Sequence, residues 1–113
     1  MRPRIMKCPK CKQIELASHV VNGIEVEQCP TCRGIWFDEQ ELPQMLTHAP
    51  GDLKPLTKGK DRPDLNKVTG QCPVDESDLM RVLSQKDRNV VLDRCPKCLG
   101  VWLDGGEFKR LTK

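Results

Sequence analysis

The sequence predicts a small, metal-stabilised, mainly β protein built from two tandem units of one design, and three observations carry that reading. The same ligand-like pattern occurs twice, all seven cysteines fall inside it, and aromatic residues are scarce, at two Trp, two Phe and no Tyr. The first copy reads Cys8-Pro-Lys-Cys11, then Cys29-Pro-Thr-Cys32-Arg-Gly-Ile-Trp36-Phe-Asp38. The second reads Cys72-Pro-Val-Asp75, then Cys95-Pro-Lys-Cys98-Leu-Gly-Val-Trp102-Leu-Asp104. Cys8 and Cys11 correspond to Cys72 and Asp75 at an offset of 64, whereas Cys29, Cys32, Gly34, Trp36, Asp38 and Glu41 recur at an offset of 66. The second spacer has therefore gained two residues. A repeat of this kind implies two small domains rather than one large core. The expected division is 1–46 and 70–113, with 47–69 as linker.

Units of roughly 40 residues bury too little apolar surface to offset chain entropy, and usually need a metal or disulfides. Two C-x-x-C pairs separated by 15 to 20 residues have four-thiolate zinc spacing. The odd cysteine count, the C-P-x-C spacing and the lack of a signal-peptide pattern weigh against disulfides. No run approaches the 18 or so apolar residues of a membrane span, so no membrane partner is expected. The expected compartment is the reducing cytoplasm. The net charge of +3 at pH 7 counts cysteines as neutral. Zinc binds thiolates, and loading both sites brings that +3 to zero. An overall basic field is therefore no argument for nucleic-acid binding.

Each unit reads as knuckle, β-hairpin, knuckle, short helix. In the first, Glu15–Val21 and Ile24–Gln28 flank Asn22-Gly23, the strongest short hairpin signal. In the second, Leu79–Ser84 and Asn89–Asp93 flank Gln85-Lys-Asp-Arg88, a longer turn that takes up the two extra residues. Asp38-Glu-Gln-Glu41 and Asp104-Gly-Gly-Glu107 fit capping boxes and predict helix starts. Leu42, Met45 and Leu46 form the first helix's apolar stripe, and Phe108 and Leu111 the second's. Pro43 costs the first helix a hydrogen bond and keeps it short. Prolines, glycines and lysines without apolar periodicity mark 47–69 as a linker that leaves the orientation of the units open.

Cys8, Cys11, Cys29 and Cys32 predict a closed structural site with no open position for water. Iron also suits such an S₄ donor set. For the second zinc, Cys72, Asp75, Cys95 and Cys98 are the candidate ligands, since carboxylate oxygen is an accepted zinc donor. Water or Asp78 in the fourth position, or a weak or empty site, stay open as alternatives. Gly34 and Gly100 are expected to turn the chain through a left-handed conformation. His19 and His48 lack partners at metal spacing and read as surface residues. Trp36 and Trp102 read as packing against the hairpins rather than stacking bases, and Asp38, Glu41, Asp104 and Glu107 as helix caps. No base stands beside the second site, so no enzyme is expected.

The string C-P-x-C-x-G-[IV]-W-[FL]-D-x-x-E, preceded by a C-P-x-[CD] knuckle and a hairpin, resembles the transcription factor IIB-type zinc-ribbon family of small prokaryotic proteins. Both copies match, over about residues 6–46 and 70–111. The resemblance implies two zinc ribbons, with Cys8, Cys11, Cys29 and Cys32 as ligands in one and Cys72, Asp75, Cys95 and Cys98 in the other. Fold-level likeness alone does not give a function. The leading expectation is a non-enzymatic adaptor that binds another protein. A nucleic-acid-binding, transcription-related role is the alternative, carried by Arg2, Arg4, Lys7, Lys10, Lys12 and the basic linker. Redox sensing by release of zinc from the second site is the third.

Overall fold

The computed structural model describes residues 6–21, 23–38, 41–45, 70–83, 90–104 and 107–108. The expected linker 47–69, His48, Leu46, Leu111, Asn22, Arg2, Arg4 and the turn 85–88 lie outside the described residues.

The first hairpin forms as its sequence dictates. Strands β1 (Ala17–Val21) and β2 (Ile24–Gln28) pair antiparallel, with Val21 opposite Ile24. Gly23 takes the positive φ of 82° that the tight turn needs. Each second knuckle is followed by a short strand that the sequence reading passes over: β3 (Ile35–Phe37) after the first, and β6 (Val101–Leu103) after the second. Helix α1 (Glu41–Met45) follows β3, and Glu107 and Phe108 are helical at the equivalent place. The second hairpin pairs β4 (Met80–Leu83) with β5 (Val91–Arg94).

These strands form one antiparallel sheet in the order β1-β2-β3-β6-β5-β4. The repeats meet edge to edge at its centre, where Trp36 stands opposite Trp102, Ile35 opposite Leu103 and Phe37 opposite Val101. That register is symmetric about the Trp pair, so the two copies are related by a pseudo-two-fold axis through it. The strand alternation sends Ile35 and Phe37 to one face and Trp36 to the other.

Each face has a core drawn from both repeats. On one, Val26, Ile35, Phe37 and Met45 pack with Val90, Leu103 and Phe108. Phe37 and Phe108 meet across the repeats, their ring centroids 5.3 Å apart. On the other, both tryptophans join Met6, Leu79 and the cysteines of both knuckle pairs. The repeats are recognisable as two units, yet they share one sheet and a common core.

The indoles explain the glycines. A Cβ on Gly34 would sit 2.2 Å from Trp102 Cζ2, and one on Gly100 would sit 2.2 Å from Trp36 Cζ2. Each tryptophan, beside its own hairpin strand as Trp36 is opposite Glu27 and Trp102 opposite Asp93, thus also packs over the other repeat's glycine. Gly34 and Gly100 are also not the left-handed residues. The positive φ falls one position earlier, at Arg33 and Leu99, each at 64°. The glycines serve close packing rather than backbone freedom.

Substituting either glycine should therefore damage both repeats at once. Gly34→Ala is expected to cost about 1–3 kcal/mol or more, as overpacking of a tight core does. A second change, Trp102→Leu, should recover part of that loss in the same background. Zinc-saturated urea denaturation of the single and double variants measures this coupling, and strictly additive losses would disprove the interlock.

Candidate metal centres

All four knuckles share one backbone design. The amide of the residue after the second ligand position bonds back to the carbonyl of the first: Lys12 N to Cys8 O at 2.8 Å, Arg33 N to Cys29 O at 2.9 Å, Glu76 N to Cys72 O at 2.9 Å and Leu99 N to Cys95 O at 3.0 Å. The same four residues have φ between 64° and 66°. This turn aims both ligand side chains at one point. Each also directs an amide at its first sulfur: Cys11 N to Cys8 Sγ at 3.2 Å, Cys32 N to Cys29 Sγ at 3.4 Å, Val74 N to Cys72 Sγ at 3.3 Å and Cys98 N to Cys95 Sγ at 3.4 Å. Such bonds stabilise thiolate charge and orient the ligands.

The folded chain brings together two donor groups, Cys8, Cys11, Cys29 and Cys32 in one and Cys72, Asp75, Cys95 and Cys98 in the other. Within each, the donor atoms lie within 4.8 Å of one another. A tetrahedral zinc with Zn–S bonds of about 2.3 Å sets neighbouring sulfurs about 3.8 Å apart. In the first group Cys8 Sγ is 3.7 Å from Cys32 Sγ, and Cys29 Sγ is 3.9 Å from Cys11 Sγ. In the second, Cys72 Sγ is 3.7 Å from Cys98 Sγ. Asp75 Oδ2 and Oδ1 lie 3.4 and 3.5 Å from Cys95 Sγ, close to the roughly 3.5–3.7 Å that a Zn–O bond of 2.0–2.2 Å implies. Both donor sets fit a zinc ion. Asp78 is not among the donors gathered at the second group, and His19, opposite Val26 in the hairpin, joins neither.

Protonation states suit the same ion. In the thiol cluster Cys29 is held well below the ordinary thiol range, chiefly by its hydrogen bond from Cys32, while the same contact raises Cys32. Burial pushes the Cys72 and Cys98 thiols up. A bound Zn²⁺ supplies the positive charge that lets all of these groups ionise together. Asp75 needs no such help. The Ser77 amide donates to its Oδ1 at 2.9 Å, and holds the carboxyl down at about 2.

The sites differ in exposure. Cys8, Cys29 and Cys32 are buried and Cys11 half-buried, whereas Asp75 is exposed and Cys98 half-buried beside buried Cys72 and Cys95. The second centre is thus open to solvent along its carboxylate edge.

A cluster of buried charge beside the centres has no counterpart in the sequence reading. Lys10, inside the first knuckle, is 5% exposed. Its Nζ reaches Asp93 Oδ2 at 3.0 Å and Asp104 Oδ2 at 3.7 Å, both in the other repeat. It ties the repeats together and leaves the basic surface cluster in which the sequence places it. The one available signal is that Asp93 ends an otherwise apolar strand run. Asp38 and Asp104 have a second task too, since each accepts the indole N–H of its own tryptophan, Trp36 or Trp102, at 3.1 Å. A buried indole N–H needs such an acceptor. The capping expectation holds for Glu41 and Glu107, whose carboxylates accept the amides of Asp38 and Asp104 at 2.8 and 3.2 Å. Burial, reinforced by the Asp104 charge, raises Glu107 to about 7.

A family model described as transcription factor zinc-finger matches the chain twice, over residues 7–48 and 71–113. No curated protein and no solved structure matches it.

Asp75→Ala should reduce the bound zinc from two ions to one, with the first centre still loaded, as counted by native mass spectrometry. Retention of two tightly held ions would remove Asp75 from the ligand set. Glu107 sets a pH dependence. Its pKa is raised on folding, so its contribution is fully present below the unfolded value near 4.5 and is lost as pH rises through about 7. Glu107→Gln keeps the acceptor and removes the charge. Relative to the parent, it should gain on the order of 1–3 kcal/mol between pH 5 and pH 8 in zinc-saturated denaturation.

Proposed function

The chain belongs to the transcription factor zinc-finger family, and on that premise we propose that this zinc-binding zinc-ribbon protein is a non-enzymatic adaptor that binds another protein. The observation that carries the proposal is the use made of its chemically active groups. Each donor set is complete within the chain, so neither centre needs water as a fourth ligand in the way catalytic zinc does. Glu41 and Glu107 hold helix starts, and Asp38 and Asp104 hold indoles. What remains for partners is surface.

That surface favours protein over nucleic acid. Zinc loading neutralises the net charge, and Lys10 is committed to Asp93 and Asp104 inside the molecule. Both tryptophans are 0% exposed, so neither offers a stacking platform for bases. Exposed Lys7 and Lys12 share one cleft with exposed Glu76 and Asp78, an arrangement that does not track a phosphate backbone.

The test is a titration of the zinc-loaded protein with duplex DNA, single-stranded DNA and RNA at low and physiological salt, beside photocrosslinked capture of protein partners. The expected result is a specific protein crosslink, with nucleic-acid affinity no tighter than the 10⁻⁴–10⁻⁶ M of nonspecific binding. Tight nucleic-acid binding that falls steeply with salt would replace the adaptor reading with the transcription-related one.

A further inference from the structure

The two first knuckles face each other across a cleft of about 640 Å³, within the range of about 300–1,000 Å³ typical of ligand sites. Lys7, Pro9 and Lys12 line it from the first repeat, and Gln71, Glu76 and Asp78 from the second. The metal-ligating Cys8 and Cys72 also border it, so zinc fixes the backbone on both sides. Gly70 holds the walls close, since a Cβ there would lie 2.3 Å from Pro9 O.

The knuckles on either side share one backbone turn but line the cleft with opposite charge. Lys12 and Glu76 occupy the same knuckle position, at φ of 66° and 64°. Lys7 corresponds to Gln71, and Asp78, bridged to Gln71 as Glu15 is to Lys7, corresponds to Glu15; of the pair Asp78 alone lines the cleft. All four charged side chains at the cleft, Lys7, Lys12, Glu76 and Asp78, are exposed. Among the described residues no ion pair joins the two lysines to the two carboxylates. One repeat therefore presents positive charge and the other negative charge, neither spent on the other.

The geometry points to this cleft as the docking site for a polypeptide segment that carries an acidic and a basic side chain together. The inference rests on the adaptor reading and names its partner's chemistry. A segment of single sign gains attraction at one wall and meets repulsion at the other, whereas a mixed segment gains at both. Nucleic acid, all phosphate on its outer surface, is disfavoured by Glu76 and Asp78. Pro73, half-buried, adds apolar surface to the second wall.

The probe is a short capped peptide alternating glutamate and lysine, added to the zinc-loaded full chain and followed by amide chemical shifts and fluorescence anisotropy. Saturable shifts are expected at Lys7, Lys12, Gln71 and Glu76. Lys12→Glu and Glu76→Lys should each weaken binding about tenfold or more. Each substitution installs the residue that the other repeat already carries at that φ, so folding is preserved. All-glutamate peptide, all-lysine peptide and single-stranded DNA should bind more weakly. Shifts elsewhere on the molecule, or equal binding by the charge variants, would overturn the assignment. Photocrosslinking with the same variants separates the two claims. A partner captured regardless of the charge at positions 12 and 76 leaves the adaptor reading standing and the cleft refuted. No partner captured by any form refutes the adaptor reading itself.

Discussion

At the centre of the sheet each indole occupies the space that a side chain on the other repeat's glycine would need, Trp36 over Gly100 and Trp102 over Gly34. This reciprocal exclusion fixes more than two residues. It sets the β3–β6 register, because Trp36 can face Trp102 only if Ile35 meets Leu103 and Phe37 meets Val101. The register then decides which side chains reach each face, since a slip of one residue would send Ile35 and Phe37 to the tryptophan side. The apolar core on one face and the packing of the cysteine knuckles on the other both follow from that pairing.

The interlock also accounts for how so small a molecule stays folded. A single ribbon has one short hairpin and one short strand, and its inner strand would be an unpaired edge carrying a tryptophan. Pairing β3 with β6 removes two edges and buries both indoles completely. Zinc and the shared core are therefore complementary. The ions shape the knuckles, and the knuckles hold the glycines where the indoles can cover them: Cys29 N bonds Gly34 O at 2.9 Å, and Cys95 N bonds Gly100 O at 3.0 Å.

Much of this was legible in the sequence because it is local. Ligand spacing, the Asn-Gly hairpin and the Glu at the third position of each helix start are short-range signals, and the structure places both donor groups and the first hairpin accordingly. What escaped is what lies between the repeats. Ile35-Trp-Phe and Val101-Trp-Leu are β-rich runs of three residues, too short to show a period by themselves, and only the partner strand makes them strands. Gly34 looked like a turn residue because glycine after a knuckle often is one. Its real constraint is an atom of Trp102, 68 positions away in sequence. Lys10 likewise reads as surface charge until Asp93 and Asp104 come into view across the interface.

Symmetry of fold with asymmetry of chemistry is the most informative property of the pair. The backbone repeats its knuckle bonds nearly unchanged, so differences between the copies are not demanded by folding. Three of them fall together in the first knuckles. Cys11 becomes Asp75, Lys10 becomes Val74, and Lys12 becomes Glu76. The first of these opens one metal centre to solvent, and the second gives the interface a single buried cation where two related by the axis would repel. The third places opposite charges on facing walls. A homodimer of one ribbon could do none of these, because its axis would force every change to appear twice. Joining two copies in one chain frees corresponding positions to differ. The tandem arrangement thus keeps the interlock of a symmetric dimer while giving the two walls of one cleft different charge.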